Sequence, residues 1–284
     1  KNLYGEVFTP IELICEMFSH IPDNVWKNPD LKWLDPANGI GNFPVVAYYK
    51  LMDSLKGYKP KGKTLSRHII EDMLYMVELN PVNVRVCKKI FKMIDPKATP
   101  NIVKHDFLKF KGFKGIDKFD VIMGNPPFND GQKFSNKKGG GDSLWNKFVV
   151  LSINTFLNDK GVLCFVHPSS WRKPESDRSK TKGLFQLMGQ DNYISYLEIH
   201  DSNDGNKIFG AGTRYDWYVL HREKNTGKNT EIKDENGVLH KLDLTKWDFL
   251  PNYNFDIVSS IMTKSDKHVP IIYSRNNYGP EKKW

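Results

Sequence analysis

Short apolar runs alternate with helix-length stretches through most of this chain, and that alternation restricts the fold more than any other feature. The runs Leu31 to Leu34, Leu74 to Leu79, Ile102 to His105, Phe119 to Met123, Val162 to His167, Ile194 to Ile199 and Tyr215 to His221 have the length and composition of strands. Helical patterns near Pro44 to Leu55, Leu65 to Met73, Pro81 to Met93 and Ser143 to Leu157 separate the early ones. Strands joined through helices of that length lie parallel, so the pattern predicts an α/β fold with a doubly wound, mostly parallel seven-stranded sheet. The last two runs have no helical pattern between them. They are expected to form a closing antiparallel pair joined by a loop, Asp201 to Thr213.

In such a sheet, ligands bind outside the carboxyl ends of the strands, near the point where strand order reverses. Four successive strands here each end in a ligand-bearing group. The first runs into Asp35-Pro36-Ala37-Asn38-Gly39-Ile40-Gly41-Asn42-Phe43, where two glycines permit a tight turn and close approach of backbone to a ligand. The second ends in Glu78-Leu79-Asn80, whose carboxylate can take both hydroxyls of a ribose. The third ends in His105-Asp106-Phe107, where Asp106 can accept from a purine amine and Phe107 can lie on its face. The glycine loop lacks the full GxGxxG spacing and any GK[ST], which favours another adenosine-type cofactor over a dinucleotide or a nucleoside triphosphate.

The fourth strand stops at Asn125-Pro126-Pro127-Phe128. Two prolines fix φ and remove two backbone donors, so the carbonyls of Asn125 and Pro126 are not absorbed into a continuing helix or sheet. Held acceptors beside the flat ring of Phe128 suit an exocyclic amine on a planar ring. These four residues alone leave adenine, guanine and glutamine amines open as substrates.

Lys and Arg number 42 against 33 Asp and Glu, giving a net charge of +9 and favouring a polyanionic partner. The three cysteines, Cys15, Cys87 and Cys164, have no CxxC spacing, so neither a disulfide framework nor a metal site is expected. No apolar run reaches the roughly 18 residues needed to cross a bilayer, no signal-peptide pattern is present, and a cytoplasmic, intracellular location is expected. The chain starts at Lys1 rather than Met and ends at Trp284 without a clear stop, so a piece of a longer protein is expected. Asn129 to Asp142, with three lysines and three consecutive glycines, is expected to be a mobile loop, either a solvated linker or a lid that orders on nucleic acid.

The chain resembles the gamma-class adenine-specific DNA methyltransferases that use S-adenosyl-L-methionine. The resemblance runs through Gly5 to Pro10, Asp35 to Phe43, Glu78, Asp106-Phe107, Asn125 to Phe128, Gly161 to Ser170, and Ile208-Phe209 to Tyr218. Asn-Pro-Pro-aromatic by itself also marks methyltransferases acting on protein glutamine or on RNA guanine. The Phe8-Thr9-Pro10 segment, and the order of cofactor motifs before Asn-Pro-Pro-Phe, mark the gamma class. The resemblance implies a Rossmann-like class I methyltransferase fold over residues 1–222, with a partial extension, 223–284, that begins a target-recognition region. Lys241, Lys246, Lys264, Lys267 and Arg275 lie there among Trp247, Phe249, Tyr253 and Tyr273, a mixture compatible with phosphate and base contacts.

By the same resemblance, Thr9 with Pro10 would contact the methionine carboxylate. Asp35, Pro36, Ala37, Asn38, Gly39 and Gly41 would hold the methionine moiety, and Glu78 with Leu79 the ribose. Asp106 would accept from the cofactor adenine amine, with Phe107 on its ring. Asn125, Pro126, Pro127 and Phe128 would form the catalytic motif, Asn125 also bordering the cofactor, and Phe209 would close the other side of the target pocket. The sequence departs from the family at Asn38 and Ile40, where members usually carry Cys and Ser. DNA is the implied substrate, with a restriction or specificity subunit, or a fused nuclease outside this chain, as further partner. An RNA or protein amine methyltransferase, or a catalytically silent nucleic-acid-binding subunit, are the alternatives.

Overall fold

A computed structural model describes residues 8–129, 143–173 and 181–262. Two compact units are separated at residue 253: Lys1–Tyr253, which holds the sheet, and Asn254–Trp284.

The sheet contains β1 (Trp33–Asp35), β2 (Leu74–Glu78), β3 (Asn101–Lys104), β4 (Phe119–Gly124), β5 (Leu157–Pro168), β6 (Tyr193–His200), β7 (Tyr215–His221), β8 (Asn229–Lys233) and β9 (Leu239–Asp243). Their spatial order is β3-β2-β1-β4-β5-β7-β6-β8-β9. β1 to β5 pair in parallel, and β7 inserts antiparallel between β5 and β6. Alternate residues bury on opposite faces. Trp33, Met76, Val121, Met123 and Cys164 join one large core, while Tyr75, and Phe119 ahead of the register shift in β4, meet Phe113 in an aromatic cluster with Phe107, Phe110 and Phe156. Burial of both faces is why these strands read as continuous apolar runs rather than alternating ones.

The helices are α1 (Ile11–Ser19), α2 (Asp23–Trp26), α3 (Asn42–Ser54), α4 (Leu65–His68), α5 (Pro81–Ile94), α6 (Trp145–Leu151) and α7 (Ser202–Phe209), with α8 (Phe255–Ile261) in the second unit. α4 and α6 each run into a wide π turn, at Ile69–Met73 and Ser152–Phe156. α5 shows why the chain starts a helix directly at a strand end: the Asn80 side chain accepts from Val82 N–H at 2.9 Å, and Pro81 occupies a first-turn position that needs no N–H.

Two expectations are revised. Among the described residues the sheet has nine strands, not seven, because β8 pairs in parallel with β6 and β9 closes a hairpin on β8. Only Thr230, Ile232 and little else on this hairpin are buried, so it shows almost no apolar signal. The sheet continues past Glu223 through these two strands. The expected loop Asp201 to Thr213 contains α7, capped by Asp201 through its Oδ1 to Asp204 N–H at 2.8 Å and ended by Gly210 in the left-handed conformation. Asp130 to Asp142 of the expected mobile loop lie outside the described residues, as do Gly5, Lys264, Lys267, Tyr273 and Arg275. Among the described residues no helix is long and apolar enough to cross a membrane.

Candidate active site

Strand order reverses between β1 and β4: the chain moves outward through β2 and β3, then returns to the other side of β1. The ends of β1 and β4 therefore flank a crevice, and the four strand ends singled out in the sequence lie at that edge of the sheet.

Asp35 ends β1 and is 1% exposed. Its Oδ1 accepts from Ala37 N–H at 3.0 Å, folding the chain back into the glycine loop. Burial pushes its carboxyl well above the usual range, with the nearby Glu78 charge adding to the rise. The strands approach so closely here that a Cβ on Gly124, at the end of β4, would stand 2.9 Å from Asp35 Oδ1. In the loop itself, Asn38 donates to Gly39 O at 2.9 Å, and burial raises the Cys87 thiol to about 12, a rise that a hydrogen bond with the Asn38 side chain opposes. The Gly41 backbone packs over that thiol: with φ of +104°, a Cβ there would fall 2.9 Å from Cys87 Sγ.

Glu78 ends β2 and ties two strand ends together. Its Oε2 accepts from Gly39 N–H at 2.7 Å and its Oε1 from Asn80 N–H at 2.6 Å. Asp106, after β3, accepts from Leu108 N–H at 3.0 Å and stays about one-third exposed beside Lys109. Phe107 is nearly buried, its ring 5.1 Å from those of Phe148 and Phe156.

Asn125 follows β4. Its Nδ2 donates to Thr9 Oγ1 at 3.1 Å, while its buried Oδ1 has no hydrogen-bond partner among the described residues. Thr9 is placed from the other side, where Asn42 at the start of α3 donates to its carbonyl at 2.9 Å. On either side of residues 130–142, Leu144 N–H donates to Phe128 O at 3.2 Å, and Asn129 bridges Ser143.

A single cleft brings together Pro36, Ala37, Gly39, Glu78, Leu79, Asp106, Phe107, Asn125, Pro126, Pro127 and Phe128. Phe8, His105, Leu108, Leu144 and Phe148 complete its lining. Thr9, Asp35, Asn38 and Gly41 stand behind that lining and shape it, and Pro10 caps α1. Phe209 lies outside the cleft lining. It meets Phe128 edge-on, with ring centroids 6.0 Å apart and planes at 76°, so it bounds that ring from the side and offers it no parallel face. Leu144 and Phe148 escaped the sequence reading although they stand four apart, the spacing of one helix face. Asn42 was quoted within the loop, but nothing local signals its bond to Thr9. In the extension, Lys241 pairs with Glu231 at 3.8 Å and Lys246 with Asp243 at 3.2 Å, and Trp247 is buried.

The architecture is that of the class I methyltransferases. A structure of the type I restriction enzyme EcoKI M protein superposes with a TM-score of 0.60 at 17% identity, covering 82% of this chain and 49% of that one. The modification methylase CviBIII of Paramecium bursaria Chlorella virus NC1A is 27% identical over 237 residues, 81% of this chain and 53% of its own length. The type II methyltransferase M.VspI of Vibrio sp. (strain 343) is 28% identical over 144 residues, 51% of this chain and 30% of its own length. The chain thus spans about half or less of the length of these relatives. Residues 47–209, more than half of the chain, match the Eco57I restriction-modification methylase model, and the chain belongs to that family.

Proposed function

We propose that this chain carries the catalytic part of an S-adenosyl-L-methionine-dependent DNA methyltransferase that modifies adenine at N6, within a restriction-modification system. The observation that carries the reading is the buried Asn125 Oδ1, left as a bare acceptor by the bond from its own Nδ2 to Thr9. A buried acceptor without a donor costs about 1–3 kcal/mol, and a ligand amine entering the cleft relieves it.

The residues fit the cofactor by their chemistry. Glu78 would accept the ribose hydroxyls, Asp106 the adenine amine, and Phe107 with Leu79 would give apolar cover. Asp35, Asn38 and the Gly39 and Gly41 backbone would hold the amino-acid end, with Thr9 and Pro10 beside its carboxylate. When bound, the cofactor supplies a methyl group on a sulfonium, already activated toward a nitrogen nucleophile.

The protein's task is to make the target nitrogen a better nucleophile and to place it. Adenine N6 is poor because its lone pair is delocalised into the ring. Accepting a hydrogen bond from each N6–H, at Asn125 Oδ1 and the Pro126 carbonyl, favours a pyramidal amine in which that pair is localised, and this interaction strengthens as the transition state forms. Pro126 and Pro127 hold the second acceptor rigid. Phe128 would stack on the base, contributing roughly 1 to 3 kcal/mol against the few kcal/mol needed to flip it from a duplex. The basic balance of the chain supports a nucleic-acid substrate, and the modification methylases among its relatives support DNA and a restriction or specificity partner.

Transfer of labelled methyl to unmethylated DNA, with the product resolved as N6-methyladenine, tests the reading. Label recovered in RNA or in protein glutamine, or transfer at the wild-type rate by Asn125→Ala, overturns it.

A further inference from the structure

A cluster of polar side chains lies behind Phe209 and takes no part in the chemistry above. Asp204, in the first turn of α7, accepts from the Tyr215 hydroxyl at 2.5 Å and faces His200 Nδ1 at 2.8 Å. The His200 ring lies flat on Tyr215, centroids 4.3 Å apart and planes 4° from parallel. Its Nε2 stands 3.4 Å from Glu198 Oε1, a carboxylate that also receives the Lys233 ammonium at 2.8 Å and the Tyr196 hydroxyl at 2.9 Å. Tyr215 is 1% exposed, and burial together with the Asp204 carboxylate raises its phenol, which remains a proton donor.

The cluster holds an element with little stability of its own. α7 has eight residues, too few to persist without tertiary support. Gly205 sets it hard against the chain that follows: a Cβ there would fall 2.1 Å from Thr213 O, so only glycine fits. Its last residue, Phe209, packs edge-on against the Tyr215 ring at 4.9 Å and against Phe128 at 6.0 Å. Tyr215 thus joins Asp204 through its hydroxyl and Phe209 through its ring.

We infer that Asp204 and Tyr215 are positioning residues for the target base: their bond fixes α7, α7 fixes Phe209, and Phe209 sets where the Phe128 ring stands beside Asn125. The inference rests on the reading of Asn125 to Phe128 as the target-amine site. Neither side chain touches a reactant; each acts through Phe209.

The experiment compares Tyr215→Phe, Asp204→Ala, Asp204→Asn and the Tyr215→Phe/Asp204→Ala double variant with the wild type. Steady-state methyl transfer to unmethylated genomic DNA is measured alongside calorimetric binding of S-adenosylhomocysteine. Tyr215→Phe and Asp204→Ala are expected to lower kcat/KM for DNA about tenfold, the size of a small misplacement of a reacting group. Their affinity for S-adenosylhomocysteine is expected to stay within about twofold of wild type. Asp204→Asn keeps an oxygen that accepts from Tyr215 and is expected to recover most of the loss, and the double variant to fall no further than either single one. Wild-type kcat/KM in both single variants, equal losses of DNA turnover and analogue binding, or no rescue by Asp204→Asn would each overturn the inference. A wild-type protein that binds the analogue but methylates no DNA overturns the underlying reading instead.

Discussion

The Asn125 amide nitrogen donates to the Thr9 hydroxyl across 116 residues of sequence at 3.1 Å. That bond orients the amide so that its oxygen is the end left without a partner among the described residues, the end proposed to receive the substrate amine. Thr9→Val keeps the shape but removes the acceptor, freeing the amide to rotate. About a tenfold fall in kcat for methyl transfer is expected, with Thr9→Ser near wild type, measured under saturating DNA and cofactor.

Gly124→Ala meets two obstacles at once. Gly124 has φ of +150°, and its new Cβ would stand 2.9 Å from Asp35 Oδ1. A loss of roughly 2–4 kcal/mol of stability is expected from strain and crowding, read by urea unfolding, together with weakened cofactor-analogue binding in the folded fraction. An unchanged unfolding midpoint would contradict the close approach of β1 and β4.

Arg172 and Asp216 form a buried pair, 2% and 0% exposed, with Nε to Oδ2 at 2.7 Å. The guanidinium also donates to Leu250 O, Pro251 O and Asn252 Oδ1, tying the end of the first unit to the sheet. Arg172→Ala leaves the Asp216 carboxylate buried with, among the described residues, Trp171 alone to donate to it, and about 3–5 kcal/mol of destabilisation is expected in denaturant unfolding.

His167 gives the molecule an acid-side weakness. It is fully buried, stacks on Trp145 at 4.3 Å and bonds the Tyr218 hydroxyl at 3.1 Å, and burial lowers its imidazole to about 4. The unfolded chain takes up this proton near pH 6.5, before the folded one does. Stability attributable to His167 is therefore full above that pH and is lost progressively as pH falls toward 4, by on the order of 3 kcal/mol. His167→Gln is expected to flatten the difference between unfolding midpoints at pH 7 and pH 4.5, measured against wild type.

The central strands and the cleft residues at their ends were legible because burial on both faces writes an apolar run, and because glycine, acid and proline at a strand end have local conformational meaning. The rest depends on partners far away. α7 was hidden since Ser202, Asn203, Asp204, Gly205 and Asn206 are all turn formers, and its stability comes from Tyr215 and the Thr213 backbone. β8 and β9 were hidden because few of their residues are buried. The amide of Asn42, the phenyl of Phe148 and the edge-on meeting of Phe209 with Phe128 belong to tertiary geometry that no spacing encodes.

The Glu78 carboxylate is already held at both oxygens, by Gly39 and Asn80 backbone N–H groups at 2.7 and 2.6 Å. A free glutamate surrenders up to about 2 kcal/mol of rotamer entropy when it is immobilised. Here that entropy is lost when the sheet forms, so in the role proposed for Glu78 none of it would weigh on ribose association, and the group would enter binding as a rigid receptor. Affinity at this subsite is thereby linked to the conformation of the Asp35 to Phe43 loop: a substitution that displaces the Gly39 N–H would release the carboxylate and weaken binding through disorder, with every contact atom still present.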